Sequence, residues 1–212
     1  MTTVREEKKR QTRKAILEAV ISLFGSRGYD KTSIDQLAKK AGVGKGTIYS
    51  YFRTKSEIFL AFCEDELDFL HLEMDRKLDA NTPFLEALIE VFMIEFRYVT
   101  RNREFGRLFL REVIYPSDRI VERSRDIDDR FIDIFLPLFQ KAQKAGELRL
   151  DIELLFAIGH FYALYLLALS AWYSGRLLED DDVLMSLTML FEQALMGLAP
   201  LSSSSQQLLS KQ

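Results

Sequence analysis

The stretch Gly28–Phe59 reads GYDKTSIDQLAKKAGVGKGTIYSYFRTKSEIF, and its spacing decides the fold. Thr32-Ser33 opens a short helix. Ser33 with Gln36 three residues on has the form of a capping box, in which each side chain answers the other residue's backbone N–H. Ile34, Leu37 and Ala38 fall on one face, and the small Ala38 permits a close helix crossing. Gly42 follows where the chain must turn, and glycine supplies φ > 0 at no steric cost. Val43 plugs the turn. A second short helix starts near Gly44 or Lys45 and runs to about Phe52, with Ile48 and Tyr51 set against the same core. This is the spacing of a helix-turn-helix, whose second helix is shaped to enter a major groove. A lone Ala-x-x-x-Gly would carry little weight, but seven positions agree here inside a basic segment.

On the N-terminal side, Ile16, Val20, Leu23 and Phe24 recur at helical spacing, which predicts a helix from Arg5 to Arg27 ended by Gly28. On the C-terminal side the pattern predicts helices from Ser56 to about Leu78, Phe84 to about Thr100, and Arg103 to Tyr115, the last stopped by Pro116. A segment from Asp118 to Ala145 is helical in pattern, with Pro137 expected to kink or split it. Two last helices run from about Asp151 to Ser174 and from Asp182 to Leu198. The serine-rich tail from Leu201 to Gln212 has the composition of a disordered segment. No stretch alternates as a strand does, and no internal repeat is evident.

Composition agrees with an all-α chain. Of 212 residues, 10 are Gly and 4 are Pro, about half of average usage. The single cysteine excludes an intramolecular disulfide and a multi-Cys zinc site, and with only two histidines, His71 and His160, no metal centre is expected. No signal-type N-terminus is present, so a reduced, cytoplasmic setting is expected.

The net charge of −3 hides an asymmetry. Residues 1–55 hold 13 Lys and Arg against 5 Asp and Glu, a net of +8, and the remainder nets −11. A basic head on an acidic body is the layout of a polyanion-binding module joined to a soluble regulatory domain.

The residues from Phe24 through Gly28-Tyr29, Thr32-Ser33-Ile34, Ala38, Ala41-Gly42-Val43, Lys45-Gly46, Tyr49, Phe52 and Lys55 resemble the DNA-binding domain of TetR-family transcriptional regulators. Beyond Phe59 the resemblance rests on helical layout alone. It implies an all-α fold of about nine helices: a three-helix DNA-binding head over residues 1–55, a ligand-binding and dimerisation body over 56–200, and a disordered tail over 201–212.

The residue chemistry agrees with a DNA-binding role. Lys45, at the start of the recognition helix, can meet a phosphate together with nearby backbone N–H groups. Gly46 lets backbone approach DNA closely, and Thr47 can touch a base edge or a thymine methyl. Tyr49 can donate to phosphate, and Ser50 can touch phosphate or base. Tyr51 can pack inward, reach phosphate, or do both. Lys55 stands at the next helix N-terminus, another anion site. Thr32 and Ser33 can cap, bind phosphate, or do both. Many family members carry Ser where Gly44 stands, so this helix start lacks a side-chain acceptor. The recognition helix has no Arg, Asn or Gln, which leaves apolar contacts and DNA shape more of the readout. The arm residues Arg5, Lys8, Lys9, Arg10, Arg13 and Lys14 can follow a minor groove or form a solvated extension.

In the body, the resemblance implies a cavity among aromatic rings, with Phe92, Phe96, Phe109, Phe135, His160 and Trp172 as candidate lining. A Phe stripe at helical spacing is also what a plain core looks like. The last two helices are expected to pair with their copies in a homodimer, placing two recognition helices on a two-fold symmetric operator in double-stranded DNA. Leu154–Tyr173 is long and uncharged enough to span a bilayer, but its polar interruptions and acidic flanks favour a buried core and interface helix instead. No catalytic constellation, cofactor or metal is expected: Cys63 and His71 lie two turns apart on one helix, too far for a nucleophile–base contact. The reading is a sequence-specific DNA-binding regulator, a repressor released by a small hydrophobic or aromatic effector. The alternatives are an activator or an architectural DNA-binding protein, and more remotely a membrane-anchored one.

Overall fold

A computed structural model describes residues 4–29, 31–79, 81–115 and 121–198. The tail expected to be disordered, Pro116 and the expected helix start at Asp118 lie outside the described residues. Among the described residues there are nine α-helices and no strand. They are α1 (Val4–Arg27), α2 (Ile34–Ala41), α3 (Lys45–Tyr51), α4 (Lys55–Lys77), α5 (Phe84–Thr100), α6 (Arg103–Ile114), α7 (Val121–Lys144), α8 (Leu154–Tyr173) and α9 (Asp180–Leu198). The chain divides into two compact units. The first is Met1–Phe69 with Arg97–Asp128, and the second is Leu70–Phe96 with Asp129–Gln212.

In the first unit, α1 buries Ile16, Val20 and Phe24 of the face its spacing predicts, with Leu17 buried beside them and Leu23 half-buried. Gly28 follows at φ 83°, and its N–H returns to the Phe24 carbonyl at 2.9 Å. Aromatic rings fill this core. Phe105 of α6 lies 4.0 Å from Phe62 and 5.8 Å from Phe59 of α4, and 6.2 Å from Phe24 of α1, between ring centres. Asn102 fastens α6 to α1. Its Oδ1 accepts from the Phe105 N–H at 3.0 Å, capping α6, while its Nδ2 donates to the Ile21 carbonyl at 2.9 Å. Gly25 leaves room for that amide, because a Cβ there would overlap Asn102.

Helix α4 begins one residue before the Ser56 expected from sequence. Thr54 caps it by accepting the Glu57 N–H at 3.1 Å, and the Glu57 carboxylate reaches back to the Arg53 N–H at 2.8 Å. This is a Thr-x-x-Glu variant of the reciprocal cap.

In the second unit, Phe92 of α5 is a hub. Its ring centre lies 5.1 Å from Phe135 of α7, 4.9 Å from Tyr165 of α8 and 5.3 Å from Phe191 of α9. Pro137 does not split α7, which is one helix from Val121 to Lys144. Pro137 and Asp133 are both exposed, so the carbonyl left without a donor faces water, while Phe135, Leu138 and Phe139 hold the segment to the core. Helix α9 starts at Asp180 rather than Asp182. The Asp182 carboxylate accepts from the Leu178 and Glu179 N–H groups at 2.9 and 3.0 Å, and these bonds keep it below the usual carboxylate pKa.

Helix α8 has the length and apolarity to cross a membrane, with a mean hydropathy of 1.8, but only 33% of its most apolar window is buried. It buries Phe161, Tyr165 and Leu169 and packs along α9. Its other side is open, with Phe156 at 74% and Leu167 at 58% exposure. Helix α8 is therefore not enclosed on all sides within one chain.

Candidate nucleic-acid interface

Helix α2 packs on α1 and α3 packs on α2, with Leu37, Ala38 and Ile48 buried. The capping box is complete: Ser33 Oγ accepts from the Gln36 N–H at 3.2 Å, and Gln36 Oε1 accepts from the Ser33 N–H at 2.9 Å. Gly42 is left-handed, at φ 69° and ψ 28°, and the Val43 N–H closes the turn on the Ala38 carbonyl at 3.0 Å. These bonds fix how α3 is presented.

Along α3, Lys45, Gly46, Tyr49 and Ser50 are exposed, Thr47 and Tyr51 half-buried, and Ile48 buried. The helix thus offers a polar outer face of small and hydroxyl-bearing residues. Gly44 caps α3 with no side-chain bond. The Ser50 hydroxyl donates to the Thr47 carbonyl at 2.7 Å and keeps its lone pairs outward.

Three of the sequence-selected residues carry intramolecular work. Thr32 is buried, its hydroxyl donating to the Gly28 carbonyl at 2.8 Å, so it braces the α1–α2 turn. Ser33 caps α2. Lys55 donates to the Tyr29 and Thr32 carbonyls at 2.7 and 3.0 Å, with its ammonium 4.4 Å from the centre of the Tyr29 ring. Lys45 pairs with Asp35 at 2.9 Å, and this hydrogen bond together with the carboxylate charge raises the Lys45 pKa. Both partners are well exposed, at 50% and 68%, so a phosphate can compete for the ammonium. In the arm, Arg13 is tied to α4 through Asp65 at 2.6 Å and Glu64 at 3.3 Å, and Arg10 pairs with Glu7 at 2.9 Å.

Of the six rings named for a ligand pocket, five lie in the second unit and one, Phe109, in the first. Phe92 and Phe135 meet in the second unit, and Phe96 meets Trp172 edge-on at 5.2 Å in the same unit. His160 is exposed on α8, its ring 5.9 Å from that of Phe161.

Sequence reasoning missed the Asp35 partner of Lys45 and the buried Glu66. Asp35 lies ten residues away, and its charge was legible but its direction was not. Glu66 is 3% exposed, and burial, partly offset by the Arg101 guanidinium, pushes its carboxyl up to about 8. One turn earlier, burial pushes the Cys63 thiol well above its ordinary value, which favours the neutral thiol over the thiolate.

Residues 16–62 match the family model described as bacterial regulatory proteins, tetR family. The HTH-type transcriptional regulator SrpR of Pseudomonas putida is 27% identical over 154 residues, which cover 73% of this chain and 71% of that protein. The HTH-type transcriptional repressor NicS of Pseudomonas putida is 26% identical over 178 residues, 82% of this chain and 81% of that protein. The crystal structure of FadR from Bacillus subtilis in complex with stearoyl-CoA superimposes with a TM-score of 0.73 at 17% identity, over 87% of this chain and 98% of that one, so the fold is shared. The head of the chain, residues 16–62, thus matches the model of the tetR family of bacterial regulatory proteins, and over most of its length the chain is similar to HTH-type regulators of transcription.

Proposed function

We propose that the protein is a homodimeric repressor that binds a two-fold symmetric operator and leaves it when a small hydrophobic effector binds. The DNA-binding part is residues 1–55, the effector and dimerisation part residues 56–200, and no catalytic step is involved. The observation that carries the reading is the polar outer face of α3, held by the Ser33–Gln36 cap and the left-handed Gly42 turn. Lys45 and Tyr49 on that face supply phosphate contacts, and Thr47 and Ser50 supply base-edge contacts.

The dimer reading rests on α8 and α9. Phe156, Leu167, Met185, Met189 and Met196 are between 54% and 77% exposed, an apolar stripe larger than single surface residues would leave. A second copy of the same stripe covers it with two-fold symmetry and sets the spacing of the recognition helices. A dimer of this kind acts on chromosomal DNA and so works in the cytoplasm.

The effector reading rests on the aromatic interior around Phe92 and on the stearoyl-CoA bound to the Bacillus subtilis relative of the same fold. An effector releases DNA only if it binds the released state more tightly than the bound one. Fluorescence anisotropy on a selected operator duplex, titrated with acyl-CoA thioesters of increasing chain length, tests this. Release that steepens with chain length is the expected result. Unchanged operator affinity across the series, with the thioester bound to the protein, contradicts effector release.

A further inference from the structure

A cleft of about 570 Å³ opens in the first unit between the C-terminal end of α1 and the outer face of α6. Its lining carries four cations, Arg27, Lys31, Arg107 and Arg111, against the single carboxylate of Glu104. None of these positions belongs to α2 or α3, so the recognition surface does not account for them. Arg111 is steadied by Glu112 at 3.0 Å and approaches the Tyr29 ring at 5.9 Å. Tyr29 and Leu108 supply an apolar side to an otherwise cationic wall.

Three carbonyls beside the cleft accept hydrogen bonds from within the protein. The Phe24 carbonyl at the end of α1 accepts from Gly28, the Gly28 carbonyl from Thr32, and the Tyr29 carbonyl from Lys55. The Phe24 carbonyl near the negative end of α1 is thus answered from within the protein, and Arg27, Lys31, Arg107 and Arg111 line the cleft beside it. Its floor is fixed by Asn102, which joins α6 to α1 across Gly25. Like cations gathered around a rigid concavity repel one another, and a bound polyanion relieves that repulsion. Planar guanidinium groups suit phosphate oxygens two at a time. The volume is that of a small-molecule site.

We propose that this cleft is a binding site for a small phosphorylated polyanion, a ligand class separate from the hydrophobic effector of the body. Because α1 and the turn into α2 form its wall, a bound polyanion stiffens the base on which the recognition helix stands.

Isothermal titration of the DNA-free protein with inorganic pyrophosphate at physiological salt tests the site. The expected result is saturable binding that weakens about tenfold or more in Arg27→Gln/Arg111→Gln and persists in Lys45→Ala. Both substituted arginines are exposed, and Arg27→Gln/Lys31→Gln is a second variant that leaves the Arg111–Glu112 pair intact. No saturable binding by the unaltered protein overturns the proposal, as does unchanged binding in both cleft variants. Equal loss in Lys45→Ala assigns the binding to the recognition surface and also overturns it. Cleft variants that lose duplex affinity while keeping pyrophosphate affinity assign these cations to the DNA backbone, with the same consequence.

Discussion

Lys45 is the residue whose charge most directly meets DNA in this account, and Asp35 is its competitor. Lys45→Ala removes one phosphate partner, so operator affinity falls for all sequences alike and the salt dependence of binding flattens by about one counterion. Asp35→Asn releases Lys45 from its 2.9 Å pair and removes a carboxylate facing the phosphates, so affinity rises. Anisotropy titrations at several salt concentrations measure both, and an unchanged salt slope in Lys45→Ala removes the contact. Glu66 governs a separate property. Its folded-state pKa, about 8, stands above the ordinary value of 4.5, so between the two the folded protein holds a proton that the unfolded chain has lost. Stability from this group is complete below about pH 4.5 and declines as pH rises to about 8, by up to about 1.4 kcal/mol per unit. Glu66→Gln keeps the shape of the protonated acid, and thermal melts at pH 5 to 8 are expected to lose that slope (unfolding followed by circular dichroism). A slope unchanged by the substitution would place the titrating group elsewhere.

At the scale of the element, the α2–α3 turn depends on one left-handed residue. No atom lies within 4 Å of a Cβ built at Gly42, so Gly42→Ala tests backbone strain alone, at φ 69°. A cost of about 1–2 kcal/mol is expected, read as a lowered melting temperature with operator affinity reduced alongside. A melting temperature equal to that of the unaltered protein would show that the turn is not the constraint described. This turn was legible in the sequence because everything it needs is local: Ser33, Gln36 and Gly42 lie within ten residues. The helix boundaries were legible to within three residues for the same reason, since caps and glycines act on their neighbours. Of the two outcomes expected at Pro137, a kink or a split, the split does not occur, because that depended on exposure at Asp133 and Pro137, a tertiary property that no local pattern carries. The bond from Asn102 to the Ile21 carbonyl spans 81 residues and left no trace in spacing. Thr32 and Lys55 were legible as capping or phosphate-binding candidates, but their bonds to backbone carbonyls were not.

For the whole molecule, the decisive feature is the open stripe on α8 and α9. Phe156→Glu/Met189→Glu places charge where a second copy is proposed to pack, at positions 74% and 54% exposed in the single chain. Sedimentation equilibrium is expected to find a dimer for the unaltered protein and a monomer for the variant. Operator affinity should fall with it, because a monomer holds only one half-site. A variant that remains dimeric would move the interface off these helices. The central claim, a dimeric sequence-specific DNA-binding regulator, is tested most directly by selecting bound duplexes from a pool of randomised sequence and sequencing them. The account predicts one enriched motif, two-fold symmetric, with half-sites about 10 base pairs or a multiple of that apart. Enrichment of no motif, or of a motif without that symmetry, would contradict it.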